Sequence, residues 1–311
     1  MIDVVNMYPL LKEGTLPYEV ANSILDTFEW QNFVFFPHGE FIYKANKASM
    51  HSKGLSNMDM MFSTGETAYL RVSNSLHKIY HDGRNDNDFT KSQLKDTIVN
   101  LGYLLGLETE RFKLKGWFEF SVNIEVANAQ QLIQQLIRYK NREVERMLQG
   151  AKLYGKKAYY QKYRIKVYNP IQKAILEDAQ LCKALGMYDE NKLIRVEIEA
   201  KTEYIRNSWN IPLSNLQDLL NDDVLTLLGK RITKLSKGLI FDNRPPNLSF
   251  TETRTWQYYT TTPSYLQVQH RKENSSTYYD NKKKFQALQQ QGISLDLSQK
   301  IQDKWTFLQE N

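Results

Sequence analysis

The chain has 311 residues, enough for one large domain or two ordinary ones with a real core. Its 41 basic against 35 acidic residues give a net charge of +6, a modest excess that excludes a histone-like polycation and makes the placement of charge matter more than its size. The single cysteine, Cys182, excludes an intramolecular disulfide framework and Cys-rich zinc modules. No apolar run reaches the length of a membrane span, and the first residues lack a signal-peptide layout, so a cytoplasmic protein is expected.

In chain order, residues 1–7 read as an opening strand. Residues 17–36 suggest a helix that closes before a strand begins, and 40–44 another strand. The Met-, Ser- and Gly-rich stretch 51–66 predicts a loop, and 69–79 resumes the extended pattern. A polar, turn-rich loop covers 80–89. Leu94, Ile98, Leu101 and Leu105 then fall at helical spacing, with Thr90 or Asp88 as cap and Gly106 as stop. A second helix is expected over 129–147, with Leu132, Leu136, Ile137 and Val144 on its inner stripe, and a third over 170–185 with Pro170 in its first turn. Residues 213–235 and 284–308 read as helical, 242–247 as a break, and 251–270 fits neither pattern.

Three segments alternate with the two-residue period of a strand. In 117–126, Phe118, Phe120, Val122, Ile124 and Val126 are apolar, while Glu119, Ser121, Asn123 and Glu125 are polar. In 163–168, Arg164, Lys166 and Tyr168 share one side. In 193–199, Arg195, Glu197 and Glu199 do the same. One sheet containing all three would carry acid, base and phenol on a single surface. The element order predicts an α+β fold, an antiparallel or mixed sheet with helices on one face and a helical C-terminal region. The composition change places a division near 208, giving regions 1–208 and 209–311.

Between Arg138 and Lys173 stand eleven Lys/Arg, two acids and six tyrosines. Cations interleaved with aromatics suit a single-stranded nucleic acid, neutralising phosphates while rings stack on bases. The candidate DNA contacts are Arg138, Lys140, Arg142, Lys156, Lys157, Arg164 and Arg195; the plainer reading is a solvated basic helix beside an edge strand. Glu119, Glu125 and Glu197 are hard oxygen donors suited to Mg²⁺ or Mn²⁺, or else cross-strand partners of Arg195, Lys166 or Arg164. A tyrosine that attacks a phosphodiester needs a cation or metal to ionise it. Tyr168 has Lys166 and Arg164 on its own side, Tyr159 has Lys162 three residues on, and Tyr160 sits between them. His77 and His81 read as surface residues of a strand and loop. No phosphate-binding GxxxxGK[ST] loop occurs.

Ser75-Leu76-His77-Lys78 running into 83–89, then Phe118 to Glu125, Tyr159-Tyr160 through Lys166-Val167-Tyr168-Asn169, and Ile194 to Glu197 resemble motifs of rolling-circle replication initiators of phages and plasmids. The likeness is to the filamentous-phage-type replication proteins and their Bacteroidetes-type relatives, in order over about residues 69–235. It implies an HUH-related, RRM-like nuclease core that nicks one DNA strand at an origin, stays joined through a tyrosine and later reseals, with Mg²⁺ or Mn²⁺ assisting. On this likeness Asn123 and Glu125 stand with Glu119 on the metal-bearing strand 117–126, and Glu197 of 193–199 joins them as a metal ligand. Tyr168, or else Tyr159 or Tyr160, attacks; Lys162, Lys166 and Arg195 steady phosphate and phenolate. Origin or single-stranded DNA, and a host helicase or polymerase, are the implied partners, in the cytoplasm of a bacterial host. No His-hydrophobe-His motif is present, and Pro170 follows Asn169 where the family carries a lysine soon after the tyrosine. The alternatives are a non-catalytic DNA-binding protein of a phage or plasmid, and a structural protein of a virion or mobile element.

Overall fold

The computed structural model describes residues 1–9, 29–35, 41–45, 58–63, 69–184, 186–292 and 297–311. The helix expected before residue 29, the loop expected at 51–57 and 64–66, and the end of the helix expected at 185 lie outside the described residues. The chain forms two compact units that interleave in sequence. The first contains Met1–Val122, Ile198–Lys230 and Trp305–Asn311; the second contains Asn123–Glu197 and Arg231–Lys304. Residue 208 falls inside the first unit.

In the first unit, β1 (Val4–Pro9), β2 (Trp30–Phe35), β3 (Phe41–Ala45), β4 (Met58–Ser63), β5 (Tyr69–Ser75) and β6 (Phe112–Leu114) form an antiparallel sheet in the order β2-β3-β4-β5-β1-β6. Strand β4 corrects the loop expected there. Met60 is buried while Asp59 and Met61 are only partly so, which is strand alternation hidden in a Met-rich run. The extended reading of 69–79 also stops early. Ser75 accepts the Lys78 N–H and caps a short helix, Leu76–Tyr80, because a serine hydroxyl satisfies a donor that a helix start leaves unpaired. Lys91–Leu105 is helical as expected. Thr90 and Gln93 cap it reciprocally, and Gly106 ends it at φ 63, a left-handed turn that glycine adopts without strain.

Strand β7 (Trp117–Glu125) keeps its predicted alternation in its first half, and Phe118 and Phe120 are buried. The start of the chain docks on it: Ile2 bridges Phe120, the Asp3 N–H donates to Glu119 O at 2.9 Å, and the Ser121 N–H donates to Met1 O. The Phe120 ring meets Trp209 and Trp305 edge-on, and Trp305 Nε1 donates to the Leu225 carbonyl at 2.9 Å.

The second unit carries β8 (Leu136–Tyr139), β9 (Arg142–Glu143), β10 (Glu145–Gln149), β11 (Lys152–Tyr159), β12 (Tyr163–Tyr168), β13 (Leu193–Lys201), which runs on into the first unit, and β14 (Leu239–Phe241). The helix expected over 129–147 is only Ala129–Gln135; the rest forms β8, β9 and the start of β10 with a turn at 140–141. Lys140, at φ 53, turns the chain between β8 and β9, and β14 pairs with β8 from far along the sequence. Strands β10, β11 and β12 pair antiparallel, and the five-stranded order is β10-β11-β12-β13-β7. The helix expected over 170–185 divides at Asp178, which leaves helical geometry and caps Ala179–Ala184 through the Leu181 N–H.

Helices Phe250–Thr261 and Ser264–Glu273 occupy the stretch that fits no pattern in the sequence, separated by Pro263, and Ser275–Gly292 and Leu297–Glu310 follow. Trp256, Tyr259, Tyr278, Phe285 and Leu288 form a buried cluster among them. The fold is therefore α+β, with antiparallel sheets and C-terminal helices. Among the described residues no helix is long and apolar enough to cross a membrane.

Candidate functional site

The register of β11 on β12 pairs Gly155 with Tyr168, Lys157 with Lys166 and Tyr159 with Arg164. Opposed residues of an antiparallel pair share a face, so a lysine pair, an arginine and two tyrosines line one side of these strands. On the same side as Lys166 and Tyr168, Glu197 of β13 accepts from both. Lys166 Nζ lies 2.5 Å from Glu197 Oε1, and the Tyr168 hydroxyl donates to Glu197 Oε2 at 2.9 Å. Arg195 Nε stands 3.7 Å from Glu197 Oε2, and Arg195 Nη1 donates to Asn123 Oδ1 at 3.0 Å. Asn123, Lys166, Tyr168, Arg195 and Glu197 thus form one polar network in the second unit. It is deeply set: Tyr168 is 2%, Glu197 3% and Arg195 1% exposed. Chemically it offers a phenol hydrogen-bonded to a carboxylate, with two cations beside that carboxylate.

Close approach of β11 to Tyr168 depends on Gly155. A Cβ there would fall 2.4 Å from Tyr168 Cβ and 2.9 Å from the Val167 carbonyl oxygen, closer than packed atoms tolerate. Gly155→Ala is expected to destabilise the protein by about 1–3 kcal/mol through overpacking, read as a lowered urea midpoint. An unchanged midpoint would mean the strands can spread without cost.

The other sequence candidates separate into two groups. Arg138 is 3% exposed and donates to the Tyr259 and Thr262 carbonyls at the end of helix Phe250–Thr261, so its guanidinium fastens that helix rather than facing solvent. Lys156 donates to the Gln134 and Leu136 carbonyls at the end of helix Ala129–Gln135, where a cation also meets the negative end of the helix dipole. Burial, then Arg146, holds its pKa below the ordinary lysine value. The more open cations gather on rings. Lys157 and Arg164 lie 4.9 and 5.6 Å from the Tyr159 ring centroid, and Arg142 lies 4.8 Å from that of Tyr160. Lys140 donates to the Tyr163 hydroxyl at 3.0 Å.

Tyr160 and Tyr163 stack at 4.8 Å, with Tyr139 edge-on to both. Burial pushes the Tyr160 phenol up to about 12, against the weaker opposing pull of Arg142. Its neutral form is therefore the one the fold favours. That contribution to stability is complete below pH 10 and is lost as pH rises through about 12. An alkaline titration followed by phenolate absorbance is expected to show a group of late-ionising tyrosines that includes Tyr258, Tyr259 and Tyr278, and Tyr160→Phe should reduce that group by one; an identical late phase in the variant would mean that Tyr160 ionises with the ordinary phenols. Tyr159 ends β11, and Lys162 sits exposed in the turn before β12, so the helical juxtaposition suggested by their spacing does not form.

In the first unit, Asp3 and Glu119 bring carboxylate oxygens within 4.8 Å of each other, and Asp3 also accepts from the Ser75 hydroxyl. Asp3 has no sequence signal of its own; only the docking of the chain start on β7 places it there. Glu125 is exposed, and its backbone carbonyl accepts from Lys300 at 3.2 Å. His77 and His81 lie on one helical turn with rings 5.0 Å apart, not on a strand and loop. His77 stacks on Phe89, and His81 Nε2 meets the Asp88 carbonyl. Burial lowers the His81 pKa.

Comparison with solved structures finds a rolling-circle replication initiator protein from Geobacillus stearothermophilus, 10% identical, covering 84% of this chain and 94% of that one, with a TM-score of 0.37. No protein-family model matches the chain, and no curated protein matches it.

Proposed function

We infer that this chain is a replication initiator of the rolling-circle kind, which nicks and rejoins single-stranded origin DNA through a phosphotyrosine link. The observation that carries this reading is the Tyr168 hydroxyl held 2.9 Å from Glu197, with Lys166 on the other oxygen of the same carboxylate. It joins the motif likeness over residues 69–235. Of the three candidate tyrosines, Tyr168 is the one whose hydroxyl donates to a carboxylate, and burial makes the Tyr160 phenolate harder to form.

In the forward step the Tyr168 oxygen forms a bond to the scissile phosphorus and its proton passes to Glu197. The bond from phosphorus to the deoxyribose oxygen breaks, and that oxygen takes a proton from water. Lys166 and Arg195 supply positive charge against the phosphate as its charge shifts. Rejoining is the reverse attack by a deoxyribose hydroxyl, with Glu197 returning the proton to tyrosine. Arg142, Lys157 and Arg164, set on tyrosine rings, provide cations and stacking surface for a strand.

Asp3 and Glu119 fit a hard divalent ion, since Mg²⁺ or Mn²⁺ takes one or two carboxylates and completes its shell with water and phosphate oxygens. When bound, such an ion polarises and orients a phosphodiester. Origin DNA and host helicase or polymerase are the partners this role entails, in a bacterial cytoplasm.

The test is single-stranded DNA from the chain's own replicon, incubated with Mn²⁺ or with EDTA and run on a denaturing gel. A metal-dependent nick with a detergent-resistant protein–DNA adduct is the expected result. Strand binding with no nick across several origin-region substrates would sink the catalytic reading. The 2% exposure of Tyr168 favours one second reading, a non-catalytic DNA-binding protein in which the same network only braces the sheet.

A further inference from the structure

The second unit contains a cavity of 260 Å³ away from the Tyr168 network, between the β8–β9 turn, the start of β14 and helices of the C-terminal region. Four lysines line it: Lys140, Lys234, Lys237 and Lys282. Among the described residues, none that lines it is acidic. Lys234 and Lys237 are exposed, so their ammonium groups can reach an incoming anion at the rim. Lys282 stands 5.9 Å from the Tyr278 ring centroid, and burial together with the like charges of Arg271 and Lys140 lowers its pKa. An anion entering here would relieve that crowding.

The remainder of the wall is aromatic and amide. Tyr278 and Phe285 contribute ring surface, continuous with the buried C-terminal cluster. Their positions are fixed, since the Tyr259 hydroxyl donates to the Tyr278 carbonyl at 2.9 Å and the Tyr259 and Phe285 rings stack at 4.9 Å. Gln289, also in the lining, has a buried side-chain nitrogen with no hydrogen-bond partner among the described residues. A buried donor without an acceptor costs free energy that a ligand acceptor would recover. Gly238 lets β14 come close to the turn, because a Cβ there would lie 2.7 Å from the Tyr139 ring and 2.9 Å from Lys140 Cγ.

Cations for a phosphate, ring surface for a planar base and an unused amide donor for a base edge are the complements of one chemical unit. We propose that this cavity is a binding site for a single nucleoside phosphate, held by Lys234, Lys237 and Lys282 and read by Gln289. The unit is either a free nucleotide or one nucleotide of a DNA strand, and both present the same chemistry. The site is independent of strand cutting, so it stands or falls apart from the function inferred above.

The experiment is calorimetric titration of the full chain with inorganic phosphate, with a deoxynucleoside monophosphate and with a short single-stranded oligonucleotide, at two salt concentrations. It is repeated on the doubly substituted Lys237→Gln/Lys282→Gln protein and on Gln289→Leu. Circular dichroism and thermal midpoint check that the variants are folded. The expected result is salt-sensitive binding of the monophosphate that weakens at least about tenfold in the lysine variant and more mildly in Gln289→Leu. Oligonucleotide binding that weakens in parallel, without monophosphate binding, supports the site with a DNA strand as its source. Binding that the lysine variant leaves unchanged would overturn the proposal, as would phosphate matching the monophosphate, or no binding by any probe.

Discussion

Tyr168→Phe is expected to lower covalent adduct formation on origin DNA by about three orders of magnitude or more, with DNA binding retained. The variant loses only the hydroxyl, so the sheet keeps its ring packing while the attacking oxygen is gone. Residual cutting by water would leave no linked protein, so adduct on a denaturing gel is the decisive readout. Tyr159→Phe and Tyr160→Phe should each stay within about tenfold of the parent, because neither hydroxyl sits on the Glu197 carboxylate. Loss of the adduct in Tyr159→Phe with Tyr168→Phe unaffected would move the nucleophile to the end of β11, where Lys157 and Arg164 flank the ring.

Glu197→Gln is expected to cost about 3 kcal/mol of stability, the second large effect. The substitution keeps the shape but turns one acceptor oxygen into a donating amide nitrogen and removes the anion that Lys166 and Arg195 surround. Breaking a buried pair from one side leaves uncompensated charge, whereas replacing both partners by neutral groups of similar size is far milder. Adding Lys166→Met to Glu197→Gln should therefore recover part of the loss, a coupling measurable by urea unfolding of the four proteins. A cost below about 1 kcal/mol would mean that water solvates the network.

The fold is legible in the sequence where neighbours alone decide the structure. The alternation of Phe118, Phe120, Val122 and Ile124 marks β7, and the Thr90 to Gly106 frame marks a helix at both ends, because these patterns are written within a few residues. The failures have a shared cause. Leu132, Leu136 and Ile137 suit a helix stripe, but Leu136 pairs with Phe241 and the Asp242 N–H donates to Gln135 O, contacts no local window contains. The six-stranded sheet likewise recruits β4 from a run that looks like a loop.

Within the candidate site, alternation placed Lys166, Tyr168, Arg195 and Glu197 on the polar sides of their strands, and the strand order adds the β12–β13 neighbourhood. Charge alone could not say which cations are engaged inside the fold. Arg138 and Lys156 look like phosphate contacts in a basic run, yet both spend their donors on helix-terminal carbonyls. Asp3 was illegible for the opposite reason: a lone acid near the start of the chain meets Glu119 only because Ile2 bridges Phe120.

The most direct measurement is mass spectrometry of the peptide that carries the nucleotide after reaction with origin-region single-stranded DNA and Mn²⁺. A nucleotide covalently attached to Tyr168 is the result expected of a phenol paired with Glu197. Attachment at another tyrosine, or full strand binding with no modified peptide, would contradict it.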